Sequence, residues 1–167
     1  MSDLPFAITA SFVRPANTTQ YTIGDLVANN ATSSLVIVPS FLTARNKNDG
    51  CLIRRVRLFK SGTSLTSASF RVYLFNQPPV PTVGDNGQLN NSSALAVDTV
   101  AGLVGFFDII MTRSGVIGAE GAGVPDSGFD IIVAPRSDAN LYALIEATAA
   151  YTPASGETFN VTIEGLR

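Results

Sequence analysis

The sequence contains no histidine, no tryptophan and a single cysteine in 167 residues. Without histidine, a Ser-His-Asp triad and a Cys-His pair are both impossible, and the commonest general base is missing. Cys51 alone cannot form an intramolecular disulfide or build a structural zinc site. It precedes an apolar segment, so a buried side chain is its expected role. We therefore expect neither enzymatic activity nor a bound metal or cofactor.

Charge is also scarce, since charged residues make up 14% of the chain against about 25% in an average protein. This favours a subunit whose surface is partly covered by partners, although a polar surface of Asn, Ser and Thr would serve equally. Residues 1–84 hold 8 basic and 3 acidic residues, whereas residues 85–167 hold 3 basic and 10 acidic residues. With a net charge of −2, this asymmetry fits contacts between neighbouring subunits better than direct binding of nucleic acid, unless the two halves intermix and cancel.

Long apolar runs are absent as well. No segment approaches the roughly 20 residues of a transmembrane helix, and residues 1–5 have neither the basic nor the apolar region of a signal peptide. We therefore expect synthesis in a cytoplasm and no membrane partner.

Strand-type segments fill the chain and alternate with loops rich in Gly, Asn, Ser, Pro and Asp. Alternation with a period of two is clear around residues 70–75, where Phe70, Val72 and Leu74 share one face. Residues 141–150 would also permit a helix, but a lone helix would have only strand neighbours, so a strand is predicted. The predicted strands are residues 7–14, 22–28, 35–43, 52–59, 70–75, 103–112, 129–134, 141–150 and 158–164.

The short piece at residues 22–28 aside, about eight strands with long crossover loops predict an all-β fold, an antiparallel β-sandwich of jelly-roll type. No linker divides the chain, so residues 1–167 are expected to form a single domain. We predict a short N-terminal arm at about residues 1–6 and long loops at residues 76–101 and 114–128, of the kind that make contacts.

Positive charge is concentrated between residues 51 and 75, which read as two strands joined as a hairpin by a Ser-Gly-Thr turn. Arg55 and Arg57 fall on one face of the first strand and are the better pair for a protein interface, because arginine is enriched at interfaces. Arg54 falls on the opposite face with Val56 and Leu58. If that face is the core, Arg54 needs a carboxylate or carbonyl partner or a place near the strand end. The alternative for all three arginines is a solvated strand face.

Other chemical interpretations are weaker. A pair of carboxylates could support glycoside hydrolysis, with candidates Asp108, Asp126, Asp130, Glu146 and Glu157. Residues 84–87, Gly-Asp-Asn-Gly, supply too few oxygens for calcium and are better interpreted as a tight turn.

Several basic and turn-rich segments carry a family resemblance. Residues 53–58 (IRRVRL), 60–63 (KSGT) and 68–75 (ASFRVYLF), together with residues 14–21, 24–29 and 84–87, resemble small structural proteins of tailed bacteriophages, in particular head decoration, or cement, proteins. The resemblance covers about half of the chain, mostly residues 10–90. Residues 115–128 and the last forty residues add nothing to it.

That resemblance implies a β-rich subunit, commonly a homotrimer, on the outside of an icosahedral capsid, with the major capsid protein as partner and no catalytic site. The expected location is therefore the capsid exterior of the virion. The alternatives are a carbohydrate-binding module, whose test residues would be Tyr73 and Tyr142, and a tail or neck component of the virion.

Overall fold

The computed structural model of the protein describes residues 4–89, 102–126 and 128–167. Within these ranges eleven strands and one short 3-10 turn, Ser33–Leu35, are present. The strands are β1 (Pro5–Val13), β2 (Leu26–Val27), β3 (Ser40–Leu42), β4 (Cys51–Lys60), β5 (Ser69–Phe75), β6 (Leu103–Ile110), β7 (Arg113–Ser114), β8 (Ala119–Gly123), β9 (Ile131–Val133), β10 (Asn140–Ala147) and β11 (Thr158–Leu166). No helix among the described residues is long and apolar enough to cross a membrane.

The strands form two antiparallel sheets. Sheet A has the order β1-β11-β4-β8-β7, and β9 also pairs with β4. Sheet B has the order β2-β10-β5-β6, and β3 also pairs with β10. The chain crosses between sheets after β1, β3, β4, β6, β9 and β10. Placing β1-β11-β4-β8 against β3-β10-β5-β6 is jelly-roll connectivity, so the predicted antiparallel sandwich is confirmed.

The main core lies between the two sheets and is built by alternation. In β11 each second residue is buried, and Phe159, Val161 and Ile163 face inward. In β5 the inward residues include Phe70, whose ring meets that of Phe159 edge-on with centroids 5.5 Å apart. Residues that alternate along a strand point to opposite faces, so the sequence pattern alone was enough to select this core.

The outer faces of the two sheets differ. A second apolar cluster covers part of the outer face of sheet B, where chain segments before β3 and after β5 fold over Phe75, Tyr142 and Leu144. Its other members are Leu26, Ala28, Leu89, Val36, Val38, Tyr73 and Val83. Among the described residues no comparable cluster lies on the outer face of sheet A.

The predicted hairpin of β4 and β5 is wrong. β4 pairs with β11, β8 and β9 in sheet A, whereas β5 pairs with β10 and β6 in sheet B. The segment between them therefore crosses the end of the sandwich. Both strands have one apolar face, and placing them in opposite sheets buries both faces in one core.

The loop predicted at residues 114–128 is also wrong in part, because it contains β8. Gly121 and Gly123 lie on the inner side of β8, where a side chain would collide with β6: a Cβ on Gly121 would come within 2.3 Å of the Ile110 carbonyl oxygen. Glycines that suggested a flexible loop instead allow a strand to approach another backbone closely.

Several element boundaries differ from the predictions. Of residues 22–28 only β2 is a strand, and the predicted strand at 35–43 shrinks to β3, which begins immediately after Pro39. The predicted arm is shorter than six residues, because Leu4 already exchanges two backbone hydrogen bonds with Arg167 and β1 begins at Pro5. Most of the predicted loop at 76–101 lies in residues 90–101, which are outside the described ranges. The strand predicted at residues 141–150 is confirmed as β10, which spans Asn140–Ala147.

Candidate interaction surface

The outer face of sheet A is exposed on β1 and partly exposed on β11. Over the middle of these two strands its side chains are small and mostly polar: Ala7, Thr9, Ser11, Thr158, Asn160 and Thr162. On β4 it carries three arginines between Leu52 and Phe59. This combination leaves room for a partner to approach the sheet closely, with the guanidinium groups standing above their neighbours.

Arg54 lies on this outer face together with Arg55 and Arg57, so its predicted place on the opposite face, with Val56 and Leu58, is wrong. Glu164 pairs with Arg55 and Gly165 pairs with Ile53, so Arg54 is an extra residue in β4. This β-bulge turns both Arg54 and Arg55 toward solvent and keeps Ile53 and Val56 buried. The Arg54 side chain is 58% exposed and pairs with Asp130 at 3.1 Å.

Arg55 and Arg57 share one carboxylate partner. Arg55 donates to Glu164 Oε2 at 2.6 Å, and Arg57 Nε lies 2.6 Å from Glu164 Oε1. The two arginine side chains remain 52% and 49% exposed. Exposed pairs of this kind contribute at most about 1 kcal/mol to stability, so the two guanidinium groups remain available to a further partner.

The three arginines form two adjacent units on one surface. We define the arginine surface as Arg54, Arg55 and Arg57 with their partners Asp130 and Glu164. An open groove of about 440 Å³ borders it and is lined by Arg55, Arg57, Thr112, Arg113, Glu120, Gly121 and Ala122. Arg113 donates to Glu120 at 2.9 Å in this groove and lowers the pKa of that carboxyl.

An apolar row borders the arginine surface on the other side. Leu52 pairs with Leu166 on β11 and with Ile132 on β9, so the three side chains lie side by side on the outer face. Ile132 is 82% exposed. An exposed apolar row beside arginines is the composition of an interface. This row was not predicted from the sequence. The available signal was the pair Leu52 and Ile53, which places apolar side chains on both faces of one strand.

A buried polar cluster closes one end of the sandwich. Arg14 pairs with Asp85 at 3.0 Å, and both side chains are buried. Tyr21 donates to Asp85 Oδ1 at 2.6 Å, and the Ala28 amide donates to the same oxygen at 3.0 Å. Burial and the neighbouring Asp85 carboxylate raise the pKa of Tyr21. The Gly84–Gly87 segment is closed by a Gly87 amide to Gly84 carbonyl bond, as expected for a turn, and its carboxylate is engaged by protein groups.

A second buried pair adjoins this cluster. Lys60 lies 3.4 Å from Glu157 and donates to the carbonyl oxygens of Gly62 and Ser64 at 2.7 Å each. Tyr151 donates to Glu157 at 2.7 Å and stacks on Tyr21 with ring centroids 6.5 Å apart. Burial lowers the pKa of Lys60 and raises that of Tyr151. Because its charges are paired and buried, this end of the molecule has a structural role.

Arg71 is separated from the arginine surface, because β5 belongs to sheet B. It forms two hydrogen bonds to Asp108, at 2.7 and 2.8 Å, and lies over the Phe106 ring. Tyr73 donates to Glu146 at 2.5 Å. Tyr142, the other tyrosine considered for sugar binding, is buried and donates to Asp138.

The carboxylates considered for hydrolysis are divided among these contacts. Asp108 pairs with Arg71, Asp130 with Arg54, and Glu157 with Lys60. In the described part of the chain no group of three or more Cys, Asp or Glu side chains is placed to hold a metal ion. The buried Cys51 thiol has its pKa raised by burial.

Comparison with known proteins gives no family: no family model matches the chain, and no curated protein matches its sequence.

Proposed function

We propose that this protein is a structural virion protein that decorates the outside of an icosahedral phage capsid and stabilises it by bridging capsid subunits. The major capsid protein is the proposed partner, and the protein acts as a homotrimer. The resemblance of residues 10–90 to phage decoration proteins provides the class. The outer face of sheet A, which no apolar cluster of the described residues covers and which carries the arginine surface, supports the choice of contact.

The difference between the two sheets supports this choice of contact. Part of the outer face of sheet B, around Phe75, Tyr142 and Leu144, is already covered by the chain's own loops. The outer face of sheet A presents half-exposed arginines beside an exposed apolar row. Apolar side chains supply binding free energy, and arginines orient a partner through bidentate contacts with its carboxylates.

The stabilising effect follows from linkage. A protein that binds the assembled shell and not the free subunit shifts the equilibrium toward the shell, by an amount that grows with the logarithm of its free concentration. The proposed function therefore needs no catalytic group. It needs a rigid face that spans two capsid subunits, which a sheet supplies better than a loop.

The test is co-sedimentation with capsid shells assembled from the major capsid protein encoded in the same genome. We expect the unmodified protein to sediment with the shells and Arg55→Ala with Arg57→Ala to weaken that binding by about tenfold or more, which corresponds to about 1.4 kcal/mol. The matched control is Arg71→Ala, which removes an arginine from the opposite sheet and should leave shell binding unchanged.

Three outcomes would contradict the proposal or the contact assigned to it. A purified protein that stays monomeric and never sediments with shells would exclude a capsid decoration function. Labelled protein found by imaging at the tail or neck would move the function to that part of the virion. Equal losses in the double variant and in Arg71→Ala would show that the arginine surface is not the contact.

A further inference from the structure

β1 is an edge strand of sheet A with an open side. It pairs with β11 along its whole length, from Pro5 opposite Leu166 to Val13 opposite Thr158. No other described strand pairs with it. An edge strand offers a row of backbone donors and acceptors to another chain unless it is short, bulged, charged or covered.

The register shows which residues present that row. Leu4 and Arg167 exchange two backbone hydrogen bonds of 2.8 and 3.0 Å, and the Arg14 amide donates to Glu157 at 3.0 Å. In an antiparallel pair, residues that bond the partner alternate with residues that do not. The even-numbered residues of β1 therefore bond β11. Ala7, Thr9, Ser11 and Val13 direct their N–H and C=O groups to the open side.

Among the described residues, the usual protections of an edge are missing from this strand. The sequence PFAITASFV has no charged residue, and its single proline is at the first position. Its nine residues pair without a register shift, so no bulge twists the edge away. The inward-facing Ile8 and Ala10 are only partly buried although they pack against the core.

The sequence of β1 is close to symmetric about Thr9. Antiparallel pairing of two copies centred on Thr9 places residues of similar size and polarity opposite one another: Thr9 with Thr9, Ile8 with Ala10, Ala7 with Ser11, Phe6 with Phe12, and Pro5 with Val13. Pro5, which lacks an N–H, then lies at the end of the pairing and still offers its carbonyl to Val13.

We propose that β1 pairs with β1 of a second copy of this chain across a two-fold axis at Thr9, which joins the two copies of sheet A into one continuous sheet. The open-side groups of Ala7, Thr9 and Ser11 then bond their counterparts, and the partly buried Ile8 and Ala10 gain cover. A two-fold contact uses the same surface on both copies, so a nearly symmetric, uncharged strand is complementary to itself.

This contact is independent of the proposed capsid function and is distinct from the three-fold contact of the proposed homotrimer, because a two-fold pairing of β1 joins chains only two at a time. It leaves the outer face of sheet A free, because strand addition uses the edge and not the face. The two arginine surfaces would lie on one extended face about 24 Å apart, five strand spacings of about 4.8 Å.

Single cysteines in the full-length protein test the register, since Cys51 is buried. Thr9→Cys should form a disulfide-linked dimer under mild oxidation, because residues that face each other in a hydrogen-bonded pair have Cα atoms about 5.5 Å apart, within disulfide range. Ala7→Cys and Ser11→Cys should each stay unlinked alone and should link when the two variants are mixed. The proposal would be overturned if all three variants formed linked dimers equally when tested alone, or if neither the single variants nor the mixture formed any.

Sedimentation measures the same contact without cross-linking. The unmodified protein should show a concentration-dependent association step that doubles its mass, from monomer to dimer or from trimer to hexamer. Thr9→Lys should raise the dissociation constant of that step about tenfold or more, because two like charges then lie directly opposite each other. Asn160→Lys, on the same face but one strand inward, should leave the step unchanged. An oligomer that keeps its mass in Thr9→Lys would overturn the β1 contact while leaving capsid binding, measured separately, intact.

Discussion

Asp85 is held by three protein donors, Arg14, Tyr21 and the Ala28 amide, in a buried site. Losing one member of a buried ion pair leaves the other charge without compensation, which typically costs 3–5 kcal/mol. We expect Arg14→Met to lower the free energy of unfolding by about that amount in urea titration. Arg55→Met, which removes an exposed arginine with one carboxylate partner, should cost less than about 1 kcal/mol. Similar losses in both variants would contradict the structural role of the buried pair.

The buried tyrosines predict a loss of stability at high pH. Burial and the Asp85 carboxylate raise the pKa of Tyr21 in the folded protein, so the unfolded chain loses that proton near pH 10 while the folded chain keeps it. The free energy of unfolding should therefore fall as pH rises above about 10, by up to about 1.4 kcal/mol per pH unit for each such tyrosine. Below pH 9 the contribution of Tyr21 to this slope should vanish.

Comparison with Tyr21→Phe isolates the contribution of Tyr21. Lys60 acts in the opposite direction, because burial lowers its pKa in the folded protein. The folded chain loses the lysine proton at a lower pH than the unfolded chain does, so this group makes the free energy of unfolding rise with pH. This term and that of Tyr151 are common to both proteins and cancel in the difference. Urea titrations from pH 8 to 11 should show a shallower decline in Tyr21→Phe. Parallel curves for the two proteins would show that Tyr21 ionises as easily in the folded state.

At the scale of one strand, the bulge at Arg54 predicts opposite effects for two single deletions. With Arg54 removed, Ile53, Arg55 and Val56 alternate regularly, so Ile53 and Val56 stay buried and β4 keeps its register with β11. We expect the Arg54 deletion to fold, with a change in stability of about 1 kcal/mol. Deleting Arg57 instead shifts the residues on one side of the deletion by one position. Their buried side chains then turn toward solvent, because a one-residue shift exchanges the two faces of a strand.

Circular dichroism and urea unfolding distinguish the two deletions. The Arg54 deletion should retain the β spectrum and a cooperative transition, and the Arg57 deletion should lose the transition. Each deletion removes one residue and one positive charge, so the Arg57 deletion is a matched control for the Arg54 deletion. Loss of folding in both would show that the bulge is required for the sheet.

At the scale of the whole molecule, the two ends of the chain lie in neighbouring strands. Pro5 pairs with Leu166, and β11 lies between β1 and β4. The entropy of closing long loops must be lost before such non-local pairings can stabilise the fold. Sandwiches of this kind therefore fold in milliseconds to seconds. We expect refolding in that range by stopped-flow tyrosine fluorescence. Refolding much faster than a millisecond would contradict a folding barrier set by this topology.

Local alternation predicted most strands of the fold but not its pairings. The faces of β5 and β11 could be predicted because every second residue is apolar. β8 was missed because Gly121 and Gly123 have no side chains to show a pattern. The hairpin prediction failed because a turn sequence between two strands fixes a change of direction and not the sheet to which the second strand returns.

The sequence by itself determined the all-β class, most of the core and the exclusion of histidine chemistry, because these follow from composition and from the geometry of single strands. The position of Arg54 beside Arg55, the pairing of Arg14 with Asp85 and the open edge at β1 were decided only by the tertiary structure. Each depends on backbone hydrogen bonds or contacts between residues far apart in the chain. A local pattern carries no record of them, because the same alternation is compatible with many strand orders and with a bulge at more than one place.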